Sequence, residues 1–241
     1  MLKLTLILIA FGCLCNCSSH YDHYVLSFEI PGTVCQVKDC QKEFLGDLQP
    51  DSINLHGLWP NIGDAEGPFE CGPNIYDEKQ VSADVLKRMN ENFNGLYNSS
   101  FWFRYHEYGK HGSCFNYNTK SSKKLFLSDE YKPDVFFTVA LDQRDKYALN
   151  ELFTTKDMSK GSTTYKLSEV ISLAEKKYGK DGYRIFCMQD HNSENHYLTE
   201  FYVCLDLNFK NIECPNPEDH PTNCPHDQDL ILTKLEVKSY E

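Results

Sequence analysis

The cysteines constrain this chain more than any other feature. There are 11 in 241 residues, a density that is high for a cytosolic enzyme of this size. Three of them lie near the N-terminus, where the basic start Met1-Leu2-Lys3 is followed by an almost wholly apolar run over 4–14 and a small polar stretch. This layout predicts a secretory signal peptide over residues 1–19. The apolar run is too short to span a bilayer, which takes about 20 helical residues.

Without that leader, residues 20–241 retain eight cysteines: Cys35, Cys40, Cys71, Cys114, Cys187, Cys204, Cys214 and Cys224. An even number in an oxidising compartment predicts four disulfides, although position alone allows about a hundred ways of pairing them. The length suits one domain, and no internal repeat or linker between domains is visible. We therefore expect a single disulfide-bonded domain over 20–241.

The charge balance narrows the possible partners. The formal net charge is -11, and it becomes -12 without the leader, which carries one lysine and no acid. Such a chain is not expected to bind nucleic acid through a broad basic surface, but it could still act on one strand in one cleft. Near pH 5, most of the nine histidines would be protonated and would offset much of the negative charge. The composition therefore favours an acidic working compartment.

The hydrophobic pattern mixes strands and helices without regular alternation, which favours an α+β fold. Strands are predicted at 24–30, where Pro31-Gly32 ends the run, and at 183–188 and 198–207. Helices are predicted at 79–93, from 101 towards 114, at 133–153 and at 166–178. Residues 41–54, a polar linker at 116–124 and the proline-rich tail after Asn208 are expected to be irregular.

Two segments combine histidine with aromatic residues, Leu55–Pro60 and Phe101–Cys114. If the second is helical, Glu107 and His111 are four residues apart and share a face, and His106 and Lys110 share an adjoining one. A carboxylate raises the pKa of a nearby histidine and an ammonium lowers it. The second segment can therefore set the protonation of a histidine near its working pH.

Competing sites fit the same residues less well. A zinc-peptidase helix needs its histidines four residues apart, whereas His106 and His111 are five apart, or about 140° around a helix. No Gly-x-Ser-x-Gly elbow or phosphate loop occurs, and an even cysteine count leaves no free thiol. Two-histidine acid–base chemistry suits RNA cleavage, in which the substrate's own 2′-OH is the nucleophile. The structural alternative is that both segments are core aromatics with incidental histidines.

Both segments resemble the ribonuclease T2 family of secretory and lysosomal or vacuolar acid ribonucleases. The first match is His56-Gly57-Leu58-Trp59-Pro60, and the second comprises Phe101-Trp102 and the run from His106 to Cys114. The resemblance implies roles for six side chains: His111 as general base, His56 as general acid, Glu107 and Lys110 as stabilisers of the pentacovalent transition state, His106 as a phosphate ligand, and Trp59 as a stacking partner for a base.

The resemblance also implies an architecture and a setting. The fold would be a twisted antiparallel sheet with packed helices, and the disulfides would be Cys35–Cys40, Cys71–Cys114, Cys187–Cys224 and Cys204–Cys214. The enzyme would cleave single-stranded RNA, but not DNA, through 2′,3′-cyclic phosphates to 3′-phosphates, without a metal or cofactor. We expect a monomer, free of membranes once the leader is removed, in the lysosome or vacuole or outside the cell. A secreted module that binds RNA or protein independently of catalysis is the alternative.

Several positions depart from the family pattern. Glu29-Ile30 stands where the family usually has Gln-Trp, and Asn61 where it commonly has Asp, so the base preference is left open. Tyr108 replaces a usual Trp and should still pack in the core. Asn98-Ser99-Ser100 fits the N-glycosylation pattern beside the predicted active-site helix.

Overall fold

The computed structural model describes residues 21–45, 48–49, 51–115, 132–153, 161–191, 193–215 and 222–235. The predicted signal peptide and the predicted linker at 116–124 lie outside the described residues. In the described part, no helix is both long enough and apolar enough to cross a membrane.

One six-stranded sheet organises the molecule. Its strands are β1 (His23–Glu29), β2 (Asn54–Asn61), β3 (Ser162–Lys166), β4 (Tyr183–Gln189), β5 (His196–Asp206) and β6 (Asp229–Thr233). The order is β2-β1-β5-β6-β3, with β4 also paired to β5. The expected all-antiparallel sheet is corrected in one place, because β5 and β6 run parallel, with His196 opposite Leu230. The fold class is α+β, as predicted, with a mixed sheet.

Strand β1 lies inside the sheet, between β2 and β5. All seven of its residues are buried, including the polar residues His23, Ser27 and Glu29, so neither face of the strand is open to solvent. Pro31 ends the strand as predicted, because it lacks an N–H for the ladder. The chain then packs so closely against the end of β6 that a Cβ on Gly32 would lie 2.1 Å from the carbonyl oxygen of Thr233.

Five α-helices lie in the described part of the chain: α1 (Pro31–Val37), α2 (Ala83–Asn92), α3 (Ser100–Lys110), α4 (Lys132–Lys146) and α5 (Leu167–Tyr178). Two helices are shorter than predicted. The expected helix at 79–93 begins at Ala83, after a 3-10 turn at Glu78–Gln80, and the one expected to reach 153 stops at Lys146, before a 3-10 turn at Leu149–Leu152.

The helices enclose an aromatic core on one side of the sheet. Phe93, at the end of α2, packs edge-on against Phe137 of α4 at 5.2 Å between ring centroids. Tyr108 of α3 is 1% exposed and lies 5.9 Å from Phe136, so it packs in the core as expected. Buried Arg104 anchors α3 by donating from Nε to the Phe93 carbonyl at 2.9 Å.

Three strands were not predicted, and the longest of them is β2, which contains the first histidine segment. Strand β3 consists of mostly polar residues and lies at a sheet edge, where it pairs with β6. Strand β6 falls in the tail that was expected to be irregular and is only five residues long. Short segments of this kind carry little periodicity, and their strand character comes from partners distant in sequence.

All four implied disulfides are present: Cys35–Cys40, Cys71–Cys114, Cys187–Cys224 and Cys204–Cys214. The Cys71–Cys114 bond matters most for the site described next. It joins the loop after β2 to the 3-10 turn that follows α3.

Candidate active site

All six side chains implied by the family resemblance line one cavity of about 300 Å³. Strand β2 supplies His56 and Trp59, and α3 with its C-terminal cap supplies His106, Glu107, Lys110 and His111. The two histidine segments therefore meet in space, which is not expected of incidental core histidines. The catalytic roles of these residues stay predictions.

A β-bulge explains how β2 aims two side chains at the cavity. Ser27 pairs with Gly57 and Phe28 pairs with Leu55, so His56 is the extra residue. In a regular strand, residues three apart point to opposite faces, yet His56 and Trp59 line the same cavity. The extra residue at the bulge shifts the alternation of side chains by one position, so His56 and Trp59 both point to the cavity. Leu55 and Leu58 stay in the core, each 0% exposed.

Gly57 is required by the close approach of the neighbouring side chains. A Cβ there would lie 2.1 Å from Nε1 of Trp59 and 2.5 Å from Oε2 of Glu107. Those two atoms form a hydrogen bond, in which the indole N–H donates to the carboxylate at 2.9 Å. Any side chain at position 57 would displace this contact.

Helix α3 brings Glu107 and His111 to the same cavity, as their spacing predicted. The Ser99 hydroxyl caps the helix by accepting from the Trp102 N–H. At the other end, His111 is the C-cap residue, and its backbone N–H donates to the Glu107 carbonyl at 3.0 Å. The His111 ring stacks on Trp59 at a centroid distance of 5.2 Å. Trp59 therefore positions both Glu107 and His111, and its stacking on a base stays a prediction.

His56 is surrounded by three carboxylates. Its Nε2 lies 3.9 Å from Glu107, and its Nδ1 lies 3.5 Å from Glu29 and 3.6 Å from Glu200. Nδ1 is buried and has no hydrogen-bond partner among the described residues. Burial alone would lower the pKa of His56, but the three carboxylates outweigh it and raise that pKa to about 10.

His111 has the opposite electrostatic environment. Burial, followed by the positive charges of Lys110, His106 and His56, lowers its pKa to about 2. The pKa of His106 is also lowered, first by burial and then by Lys110. His56 therefore holds its proton while His111 is neutral over the whole range between the two values.

The carboxylates around His56 differ from one another. Burial raises the pKa of Glu107 to about 7, even though His56 and the Trp59 hydrogen bond act to lower it. Burial likewise raises the pKa of Glu29. For Glu200, burial acts in the raising direction, but the close approach and charge of His56 leave its pKa lowered. The His56 proton thus balances an anionic Glu200 most directly.

Several residues of the site carried no signal in the sequence. Glu200 was not singled out, and Glu29 was noted only as a departure that affects base preference. They are direct partners across β1 and β5, which becomes visible only once strand pairing is known. The aromatic residues that line the cavity also differ from the expected ones. Phe103 and Tyr202 line it, whereas the Phe101-Trp102 pair that the resemblance included does not.

Glu29, His56 and Glu200 also form a group that could hold a cation once the imidazole is neutral. Their donor atoms lie within 4.8 Å of one another, and carboxylate and imidazole are common ligands of divalent metals. A proton on His56 would compete with such an ion. Independence of the reaction from metal stays a prediction.

The chain is similar to known ribonucleases along most of its length. The model of the ribonuclease T2 family matches residues 21–214. Extracellular ribonuclease LE of Solanum lycopersicum is 29% identical over 83% of each chain, and ribonuclease T2 of Danio rerio is 25% identical over 86% of this chain and 81% of its own. Among solved structures, RNase NT in complex with 5′-AMP matches 90% of this chain and 98% of its own, with a TM-score of 0.63 and 24% identity. An RNase-related protein from Calystegia sepium matches 89% of this chain and 98% of its own, with a TM-score of 0.67 and 18% identity, and thus shares the fold.

Fold, disulfides and the two histidine segments agree with this match, which covers well over half of the chain. The chain belongs to the ribonuclease T2 family and is an enzyme of the T2 type.

Proposed function

We propose that this protein is an endoribonuclease that cleaves single-stranded RNA by transphosphorylation. The carrying observation is that one cavity holds two histidines with opposite electrostatic surroundings, His56 among three carboxylates and His111 beside Lys110. The ring of Trp59 lies 5.0 Å from His56 and 5.2 Å from His111, so both histidines flank the same small volume. A neutral base and a protonated acid are what attack by a 2′-OH and departure of a 5′-oxygen need.

The first step forms one bond to phosphorus and breaks another. Neutral His111 accepts the 2′-OH proton as that oxygen attacks phosphorus, and His56 gives its proton to the departing 5′-oxygen. The products are a 2′,3′-cyclic phosphate and a free 5′-OH. In the second step the roles reverse: His56, now neutral, accepts a proton from water as the water attacks phosphorus, and His111 returns its proton to the 2′-oxygen as the bond between that oxygen and phosphorus breaks. A 3′-phosphate results. DNA lacks the 2′-OH and should not be cut.

The remaining cavity residues can stabilise the charge that develops on the phosphoryl oxygens. Lys110 supplies an ammonium group, whose nitrogen lies 4.8 Å above the ring of Phe69. Glu107, with a pKa of about 7, can donate a hydrogen bond when it is protonated. His106 can offer an N–H to a phosphate oxygen.

The decisive experiment uses purified protein with dinucleotides and homopolymers from pH 4 to 8, in EDTA, with identification of the products. We expect cyclic phosphates followed by 3′-phosphates. His56→Ala and His111→Ala should each lose about 100-fold or more in kcat, the usual contribution of a general acid or base. His191, which is exposed and lies outside the cavity, provides the matched control His191→Ala. Full activity in either site variant would contradict the proposal.

We further propose that the protein works in the secretory pathway, either outside the cell or in a lysosome or vacuole. Four disulfides and the signal-like segment support an oxidising route. Asn98 is exposed just before α3 and is the proposed glycan acceptor. N-terminal sequencing and glycosidase treatment of protein secreted from eukaryotic cells test the leader and the glycan. Retention of residues 1–19 in the secreted protein would contradict the proposed cleavage.

A further inference from the structure

A second cavity of about 920 Å³ opens beside the catalytic one. Helix α3 separates them and lines both. Trp102, His106 and Lys110 are spaced four residues apart and form one stripe along the second cavity, while Phe103 and Glu107 face the catalytic cavity. His106 and Lys110 line both cavities, so the two adjoin at these side chains. We call the second one the Trp102 groove.

Trp102 is unusual among the described residues because it is a large aromatic side chain with little internal packing. It is 59% exposed, more than any other large hydrophobic residue in the described part of the chain. Phe101 and Tyr105 contact it edge-on, at centroid distances of 5.3 and 5.6 Å. These contacts orient the indole without burying it, and an exposed, oriented aromatic ring is a platform on which a nucleobase can stack.

The groove also places two side chains that can bind a phosphate next to that ring. His106 lies one helical turn from Trp102, about 6 Å along the axis, and Lys110 lies one turn further. Both line the groove, as does one acidic residue, Glu70. A strand whose phosphate contacts Lys110 and His106 can therefore lay a neighbouring base against Trp102, at the end of the groove away from Lys110.

We propose that the Trp102 groove is an additional nucleotide subsite, in which Trp102 stacks on the base of a nucleotide that lies outside the cleaved dinucleotide. This inference rests on the proposed RNA cleavage and extends it, because it makes the enzyme prefer longer strands to dinucleotides. The preference should be largely independent of sequence, since every base has a π face.

The test compares kcat/KM for a dinucleotide with kcat/KM for tri- and tetranucleotides that contain the same cleavable step. All variants carry Asn98→Gln, because Asn98 lines the groove and differences in glycosylation between preparations would otherwise enter the comparison. The parent should gain roughly tenfold with length, the effect of one stacked base. Trp102→Ala should lose that gain while its dinucleotide kcat/KM stays within about twofold of the parent. Trp102→Phe should keep part of the gain.

Ile62→Ala is the control, because Ile62 is another exposed large hydrophobic residue and lines neither the groove nor the catalytic cavity; it should keep the gain. The inference is overturned if the parent shows no gain with length, or if Trp102→Ala keeps it. Cleavage of no substrate at all would instead contradict the proposed function.

A second measurement does not depend on turnover. The chain has two tryptophans, and a 2′-O-methyl oligonucleotide cannot be cleaved by this mechanism. Binding of a tetranucleotide of this kind should quench tryptophan fluorescence more in the parent than in Trp102→Phe, because only the parent has the Trp102 indole. If both proteins show the same change, the base does not contact Trp102, and the proposal fails.

Discussion

Among single residues, Glu29 and Glu200 have the least ordinary environment. They face each other across β1 and β5, and two like charges at such a position destabilise a sheet. His56 Nδ1 lies 3.5 Å from one and 3.6 Å from the other. A proton on His56 relieves the repulsion, so the two carboxylates hold the imidazole in its charged form.

Glu29→Gln should therefore weaken the hold of the site on that proton. As the general acid, His56 must be protonated, so activity falls as pH rises through its pKa of about 10. With one carboxylate neutralised, the alkaline limb of the kcat/KM profile should move to lower pH by roughly one unit, the usual effect of a close charge. The measurement is kcat/KM on a dinucleotide from pH 5 to 11.

The matched control for this experiment is Glu66→Gln. Glu66 also lines the catalytic cavity, but it is absent from the groups that set the pKa of His56. Its alkaline limb should stay in place. An unmoved limb in Glu29→Gln would show that Glu29 does not help to hold the proton.

Among the elements, the bulge in β2 and the close packing at Gly57 decide how the site is assembled. Gly57→Ala should force apart Trp59 and Glu107, whose polar atoms would lie 2.1 and 2.5 Å from the new Cβ. We expect a loss of about 1–3 kcal/mol in the free energy of unfolding, typical of overpacking, together with a fall in kcat. Urea unfolding and dinucleotide kinetics measure the two effects.

Trp59→Phe separates the clash from the lost hydrogen bond, because it removes the indole N–H without adding an atom at position 57. It should lower kcat with a smaller loss of stability than Gly57→Ala. If Gly57→Ala behaves like the parent in both measurements, the approach of these side chains is looser than the structure indicates.

The same elements show what sequence could and could not predict. Strand β1 and helices α3 and α5 were predicted within a few residues, because long apolar runs and helical spacing are local signals. The pairing of Glu29 with Glu200 and the bulge at His56 were not, because both are properties of two strands placed side by side. The disulfide pairing was predicted from the family resemblance, because the residues alone leave about a hundred arrangements open.

At the scale of the whole molecule, the disulfides tie the site to distant parts of the chain. Cys71–Cys114 closes a separation of 43 residues and ends three residues after His111, whereas Cys35–Cys40 closes a separation of 5. Removing the first bond by Cys71→Ser/Cys114→Ser should cost roughly 2–5 kcal/mol of stability and also reduce activity. Cys35→Ser/Cys40→Ser is the control and should cost less, because a short loop gains little from closure. Urea midpoints and kcat test this; equal losses in the two variants would contradict it.

The net charge of the chain predicts that substrate length alters the pH dependence. His111 stays neutral above about pH 2 and His56 stays protonated below about pH 10, so the pair itself is competent on both sides of neutrality. A histidine of ordinary pKa loses its proton as pH rises from 5 to 8, so a chain with nine histidines and a formal net charge of -11 is expected to repel a polyanion more strongly at the upper end of that range.

The ratio of kcat/KM for polymeric RNA to kcat/KM for a dinucleotide should therefore fall across this range, and added salt should flatten the fall. Ionisation of Glu107, with its pKa of about 7, affects both substrates and cancels in the ratio. A constant ratio would mean that the acidic-compartment expectation cannot rest on net charge.

The irregular pairing at His56 bears on how such a site could be moved to another protein. His56 and Trp59 point the same way only because β2 carries one more residue than β1 at that point. Grafting the five residues His56–Pro60 onto a regularly paired strand would turn the imidazole and the indole to opposite sides of the sheet. The smallest portable unit of this active site is therefore two strands with their mismatch, and not a sequence motif.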